Sequence, residues 1–263
     1  MSEQSSAALI AAVFVAARRE ARALPDYPGA LPATLDEAYA VQEAELRLSG
    51  SAPRGWKVAM VKPELRRVLG AERIAGPAFH VVEAAADAHV AMPVVAGGFA
   101  AFEAEFIAVM AKDLPPRTAP YTADEVKAAV GNLHVGVEIA GSPLASLNDL
   151  GPTAVVSDFG NNAGLVLGPA VPNWRERSWE SMTSATTIDG AAVGQGSAAN
   201  VPGSPLAAIA FLADHLGRCG RGLKAGELVS TGMTTGIHLV KPGVRAIVDF
   251  GDCGRLTVDI VAT

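Results

Sequence analysis

The chain has 263 residues, 50% hydrophobic and only 18% charged, so it can bury a large core and does not belong to the disordered class. A net charge of −6, with no Lys/Arg cluster interleaved with aromatics, argues against a nucleic-acid partner. Cys219 and Cys253 lie far apart with no Cys-x-x-Cys, which predicts free thiols in a reducing cytosol.

The apolar stretch Ala7–Ala17 lacks the basic start and cleavage pattern of a secretory leader. At about eleven residues it is too short to span a bilayer. It reads as the buried face of a helix from Ser6 to Ala23, and a soluble, cytoplasmic protein with no membrane partner is expected. Leu24-Pro25-Asp26-Tyr27-Pro28-Gly29 stops this helix. Thr34-Leu35-Asp36-Glu37 has the form of a capping box opening a second one, which Ser49-Gly50-Ser51 ends. Gly55 to Val61 reads as a strand, and Pro63–Leu69 as a short helix closed by Gly70. From about residue 74 the texture becomes short strands divided by Gly and Pro, near 79–83, 90–95, 100–111, 133–140, 154–157 and 164–168. Thr122-Ala-Asp-Glu125 caps a helix to about Val130. Asp189-Gly190 between alternating segments is a hairpin signal, and Pro205 opens a helix over Leu206–Gly217. Strands return at Glu227–Ser230, His238–Val240, Arg245–Phe250 and Arg255–Val261. Strands and helices do not alternate regularly, which predicts an α+β fold with a mixed or antiparallel β core rather than a doubly wound sheet. Residues 1–73 form a mainly helical N-terminal region in this reading, and residues 74–263 a β domain. No glycine-rich phosphate loop follows a strand, which disfavours nucleotide chemistry.

Two of these strands carry acids where apolar residues belong: Phe102-Glu103-Ala104-Glu105-Phe106 and Val135-Gly136-Val137-Glu138-Ile139. Positions i and i+2 of a strand share a face, so Glu103 and Glu105 project side by side and raise each other's pKa unless a cation intervenes. Either Glu-Ala-Glu is the solvated face of an edge strand, or a third carboxylate such as Glu138 completes an all-oxygen site for a hard divalent ion. Lys57, in Gly55-Trp56-Lys57, reads from its residues alone as a lysine whose stem snorkels to the surface.

The ordered set Leu35-Asp-Glu-Ala-Tyr-Ala-Val-Gln42, Gly55-Trp-Lys57, Glu103-Ala-Glu105, Val137-Glu138-Ile139, Asn162-Ala163-Gly164, Gly194-Gln-Gly-Ser-Ala-Ala199 and Ser230-Thr-Gly-Met-Thr-Thr-Gly236 resembles the 2-keto-4-pentenoate hydratase / 4-oxalocrotonate decarboxylase family, within the fumarylacetoacetate hydrolase superfamily. The resemblance covers about residues 34–260. It implies a mixed β-sandwich roll with a small N-terminal helical region, built into a homo-oligomer. It also implies Mg²⁺ or Mn²⁺ held by Glu103, Glu105 and Glu138, with Lys57 as an active-site lysine. Gly232 and Thr234 would offer N–H and hydroxyl donors to a substrate carboxylate, unless their loop is an ordinary glycine-rich turn. Ser197 would contact ligand or cap the helix entry. The chain departs from the family's pattern at Ala59-Met60-Val61-Lys62, where relatives often carry hydroxyls, and at Asn161, often Asp. Gly76-Pro-Ala-Phe-His80 lacks the acid many hydratases have there, leaving His80 as the nearby titratable group, either a proton carrier or structural. His134 shares a strand face with Glu138, with packing or a supporting contact to a ligand as its expected role. The implied reaction is metal-dependent addition of water to a 2-hydroxy-2,4-dienoate (2-oxo-4-enoate), a small-molecule substrate, giving a 4-hydroxy-2-oxo acid in aromatic-compound catabolism. The alternatives are decarboxylation of a 2-oxo-enedioate, C–C hydrolysis of an acylpyruvate, and a non-catalytic 2-oxo-acid or metal-binding accessory subunit.

Overall fold

A computed structural model describes residues 3–263, with side chains from Ser6 onward. Its spine is an antiparallel pair of long strands, β5 (Phe99–Met110) and β6 (Val130–Ser142), nearly every residue of which is buried. The alternation read from the sequence decides what each face of β5 does. Phe102, Ala104, Phe106 and Ala108 face the main core, while Glu103, Glu105 and Ile107 point the other way.

Around this pair an eight-stranded mixed sheet runs β2 (Arg73–Ala78), β1 (Gly55–Met60), β10 (Leu228–Met233), β5, β6, β7 (Asn162–Ala170), β3 (Val81–Glu83), with β11 (His238–Leu239) also paired to β5. A five-stranded sheet packs against it in the order β4 (His89–Val94), β13 (Arg255–Ala262), β12 (Arg245–Asp249), β8 (Thr183–Ile188), β9 (Ala191–Ser197). The main core fills the space between the sheets, with Phe106 edge-on to Phe250 at a centroid distance of 5.6 Å. Replacing either ring by alanine would cost about 3–5 kcal/mol. The helix α7 (Pro205–Arg218) adds Ile209 and Leu212 to this core.

The opposite face of the large sheet is covered in part by a second apolar cluster. It joins Ile10 and Phe14 of α1 (Glu3–Arg19), Val41 of α2 (Leu35–Ser49) and Val155 of α6 (Pro152–Val156) to Val61, Ile74 and Leu144. Short helices α3 (Pro63–Leu69), α4 (Ala123–Ala129) and α5 (Leu147–Leu150) complete the fold. No helix among the described residues is long and apolar enough to cross a membrane.

Several expectations are corrected. The stretch 154–157 is not a strand but the end of α6: Pro152 opens a helical turn, and a run of four apolar residues carries no period to tell helix from strand. The first helix stops at Arg19 rather than Ala23, because Ala21 turns left-handed at φ 51°. The segment before residue 79 is a strand, β2, despite Gly76-Pro77. It lies at the edge of the sheet, where a proline without an N–H is tolerated. Strand β1 falls within residues 1–73, yet it pairs parallel with β10 and antiparallel with β2, so it is part of the large sheet. The hairpin at Asp189-Gly190 forms with φ of 48° and 84°, the left-handed pair that such a turn needs.

Candidate metal centre

Register brings the acids together. Glu103 of β5 sits directly across from Glu138 of β6, and Glu105 sits across from Gly136. The three carboxylates each place one oxygen within 4.8 Å of the others, and all three are buried, Glu105 and Glu138 at 1% exposure. The reading of Glu-Ala-Glu as a solvated edge face is therefore excluded, since β5 is flanked by β10 and β6.

Each acid is fixed by its neighbours. Ser230 donates its hydroxyl to Glu105 Oε2 at 2.6 Å, and Gly232 donates its N–H to the same oxygen at 2.8 Å. A bulge in β10 between Ser230 and Met233 lets both reach one atom. Asn162, at the start of β7, donates from Nδ2 to Glu138 Oε1 at 2.9 Å. Lys57 Nζ lies 3.6 Å from that same oxygen, an ion pair with both side chains buried.

Three carboxylates against one ammonium leave two negative charges in a buried place. The strain shows in protonation. Burial first, then the charge of Glu138, pushes Glu103 up to about 8 despite Lys57. Burial, Glu138 and Glu103 push Glu105 well above the carboxylate range, against the pull of Ser230 and Gly232. For Lys57, burial alone would lower the ammonium. The charges of Glu138, Glu103 and Glu105 together outweigh it and raise the group above its ordinary value, so Lys57 is a cation rather than a base at neutral pH. A divalent ion would cancel the remaining charge, and its preference for carboxylate oxygens matches the donor set. The residues present fit such an ion.

The other expected residues are placed as follows. Gly232 is at the centre, with its N–H directed to Glu105. Thr234 is buried nearby, but its hydroxyl and its N–H both donate to Ala104 O, at 2.9 and 2.8 Å, and its hydroxyl also meets Ser184. Ser197 caps a short turn, accepting the Ala199 N–H at 3.3 Å. Its strand carries Gly196 because a Cβ there would stand 2.1 Å from Thr234 O. His80 is exposed, and its imidazole lies against Gly164 beside Met92, on the face turned to the second sheet. The structure therefore brings together Lys57, Glu103, Glu105, Glu138 and Gly232, and leaves His80 on the other side of the sheet. His134 binds Gly168 O at 2.8 Å through Nδ1.

Sequence reasoning missed Ser230 and Asn162 as holders of the carboxylates, although both stand inside segments quoted for the resemblance. It also missed the run Phe159-Gly160-Asn161, left-handed at φ 50°, 63° and 58°, which precedes Asn162. Left-handed backbone costs a non-glycine residue about 1–2 kcal/mol. Gly76 and Gly160 let this run touch β2, since a Cβ on Gly76 would meet Phe159 O at 2.3 Å. The sequence signal for it is weak, an Asn next to a Gly, both of which tolerate positive φ.

The family model for the fumarylacetoacetate (FAA) hydrolase C-terminal domain matches residues 72–261. A 2-keto-4-pentenoate hydratase of Burkholderia vietnamiensis is 28% identical over 88% of this chain and 88% of its own length. One of Paraburkholderia xenovorans is 30% identical over 80% of this chain and 77% of its own length. Among solved structures, the 4-oxalocrotonate decarboxylase of Pseudomonas putida G7, complexed with magnesium and adipate, superposes with a TM-score of 0.80 at 21% identity, covering 99% of each chain. The chain belongs to the fumarylacetoacetate hydrolase family of enzymes and has its α+β sandwich architecture.

Proposed function

We propose that this family member is a hydro-lyase that adds water to a 2-hydroxy-2,4-dienoate, giving a 4-hydroxy-2-oxo acid, in the breakdown of aromatic compounds. The observation that carries the reading is the convergence of Glu103, Glu105 and Glu138 beside Lys57. The relatives that share most of its length and are named 2-keto-4-pentenoate hydratases support it. The three glutamates would hold Mg²⁺ or Mn²⁺, as the solved decarboxylase is complexed with magnesium. Such an ion supplies a Lewis acid for the carboxylate and C2 oxygens of a 2-oxo acid.

The chain's own residues take three roles. Lys57, kept charged by its acidic neighbours, neutralises negative charge that develops on the substrate. Ser230, the Gly232 N–H and Asn162 hold the carboxylates in one orientation. Thr234, spent on Ala104 and Ser184, and Ser197, spent on a turn, have structural roles, and the Gly232 N–H is already given to Glu105. The proton that reaches C5 of the dienoate, and the water that adds at C4, come from the solvent side of the site rather than from His80. We read residues 1–73 as a helical region lent to the catalytic domain of residues 74–263, and the assembly as a cytoplasmic homo-oligomer.

The test is turnover: purified protein with Mg²⁺ should bleach the ultraviolet band of 2-hydroxypenta-2,4-dienoate and yield the hydroxylated acid. Release of CO₂ from a 2-oxo-enedioate, with the dienoate untouched, would instead favour a decarboxylase, a second reading supported by the full-length likeness to that enzyme. Binding of oxalate without turnover of either substrate would leave an accessory subunit.

A further inference from the structure

Beneath the segment that delivers Asn162 lies a second set of ionisable groups, half-buried Arg18 of α1 with buried Glu45 of α2 and Asp158. The Arg18 guanidinium donates from Nε to Asp158 Oδ1 at 2.5 Å, from Nη1 to Asn162 O at 3.0 Å, and from Nη2 to Gly141 O at 2.9 Å and Asp158 O at 3.3 Å. One side chain thus ties both ends of the 158–162 segment to β6. It also lies over the Phe159 ring, 5.3 Å from the centroid. Glu45, at 0% exposure, accepts the Phe159 N–H through Oε2 at 3.0 Å. Between these grips run the three left-handed residues. Backbone in that region persists only where surrounding contacts over-determine it.

We propose that Arg18, Glu45 and Asp158 are positioning residues that clamp the left-handed run Phe159–Asn161 and, through it, hold the Asn162 amide against Glu138. The inference rests on Glu138 being a metal ligand, and goes beyond that reading by assigning work to residues on two helices remote from the ion.

The chemistry of the clamp makes it testable. Among the described residues, neither Glu45 Oε1 nor Asp158 Oδ2, both buried, has a hydrogen-bond partner. Burial first, and the charge of Asp158 second, push Glu45 well above the carboxylate range, with Arg18 opposing. Burial thus favours the protonated form of Glu45 beside the Arg18–Asp158 ion pair. A neutral carboxyl accepts the Phe159 N–H on one oxygen and has a hydrogen to donate from the other. A glutamine has the same outline and the same donor and acceptor; a methionine has the volume and neither.

The measurement is Mn²⁺ affinity of the full-length protein, read from free Mn²⁺ by electron paramagnetic resonance, with steady-state constants on the dienoate beside it. Glu45→Gln should bind Mn²⁺ within about twofold of wild type, while Glu45→Met should bind about 10–100-fold more weakly and lose kcat more than KM changes. A folded Glu45→Met with wild-type Mn²⁺ affinity would overturn the clamp, as would a Glu45→Gln that binds as weakly as Glu45→Met. Should Glu45→Met not fold, Asn162→Ala reads the last link with the clamp intact: the same loss supports the proposal, and unchanged affinity overturns it. Wild-type protein that binds no Mn²⁺ at all would sink the metal reading itself, and the clamp with it.

Discussion

Glu105 and Glu45 are both fully buried carboxyls that burial drives toward the protonated form, yet their surroundings prepare them for different fates. Glu45 stands with one other acid, Asp158, whose charge is already matched by Arg18. Its Oε2 takes one backbone N–H, and burial favours its protonated form. Glu105 stands with two other acids and one lysine, and two donors converge on its Oε2. Donors aimed at a carboxylate favour its charged form, so the site is arranged for ionised acids whose summed charge it does not itself cancel. Burial of an acid is thus no sign of a metal site. The sign is a surplus of charge, held in place by donors that make sense only if the charge is present.

The largest effect that sharpens this contrast is Glu105→Gln. It should lower Mg²⁺ or Mn²⁺ affinity by more than about 100-fold, exceeding the loss expected from a supporting residue, and bring dienoate turnover to background. Undiminished turnover would reject the metal role. Next is Lys57→Met, which takes from the acids the cation that pairs with Glu138. Urea unfolding of the metal-free protein should show a loss of about 3 kcal/mol, much of it recovered with saturating Mg²⁺, and kcat should fall. A variant as stable as wild type would mean that the lysine does not balance the acids.

The balance of charge also sets a pH dependence. Glu103, pushed up from 4.5 to about 8, keeps its proton in the folded metal-free chain across a window where the unfolded chain has lost it. Folding then binds protons, so stability from this group falls as pH rises from about 4.5 to about 8. Thermal melts with a chelator should show wild type losing ground to Glu103→Gln across that window, and Mg²⁺ should reverse the trend at its upper end. A difference between the two proteins that does not change with pH would count against a shared, unneutralised charge. The smallest effect belongs to His80. Exposed and on the opposite face of the sheet, His80→Ala should change kcat by about twofold or less; a much larger loss would restore it as a proton carrier.

How much of this was legible in the sequence follows from the range of each interaction. Glu103 and Glu105 could be paired from strand period alone. Glu138 stands out as a third acid on a strand, but whether it joins them is decided by register across β5 and β6, which two whole strands set and no local motif does. Lys57 was named through the resemblance, but its charge state was not foreseen, since it depends on three acids from two other strands. Ser230 and Asn162 looked like ordinary polar residues, and only the β10 bulge and the left-handed run give them their aim. His80 lies on the face turned to the second sheet, and nearness in sequence to β2 says nothing of which face the chain reaches after Ala78. The strand expected at 154–157 failed for lack of any period, and the clamp of Arg18, Glu45 and Asp158 spans more than a hundred residues, beyond the reach of any local pattern.

Anomalous diffraction from a crystal soaked in Mn²⁺ tests the central claim most directly. The account predicts one strong peak within bonding distance of oxygens from Glu103, Glu105 and Glu138, lost in Glu105→Gln. A peak elsewhere, or none among those three carboxylates at saturating Mn²⁺, would contradict it.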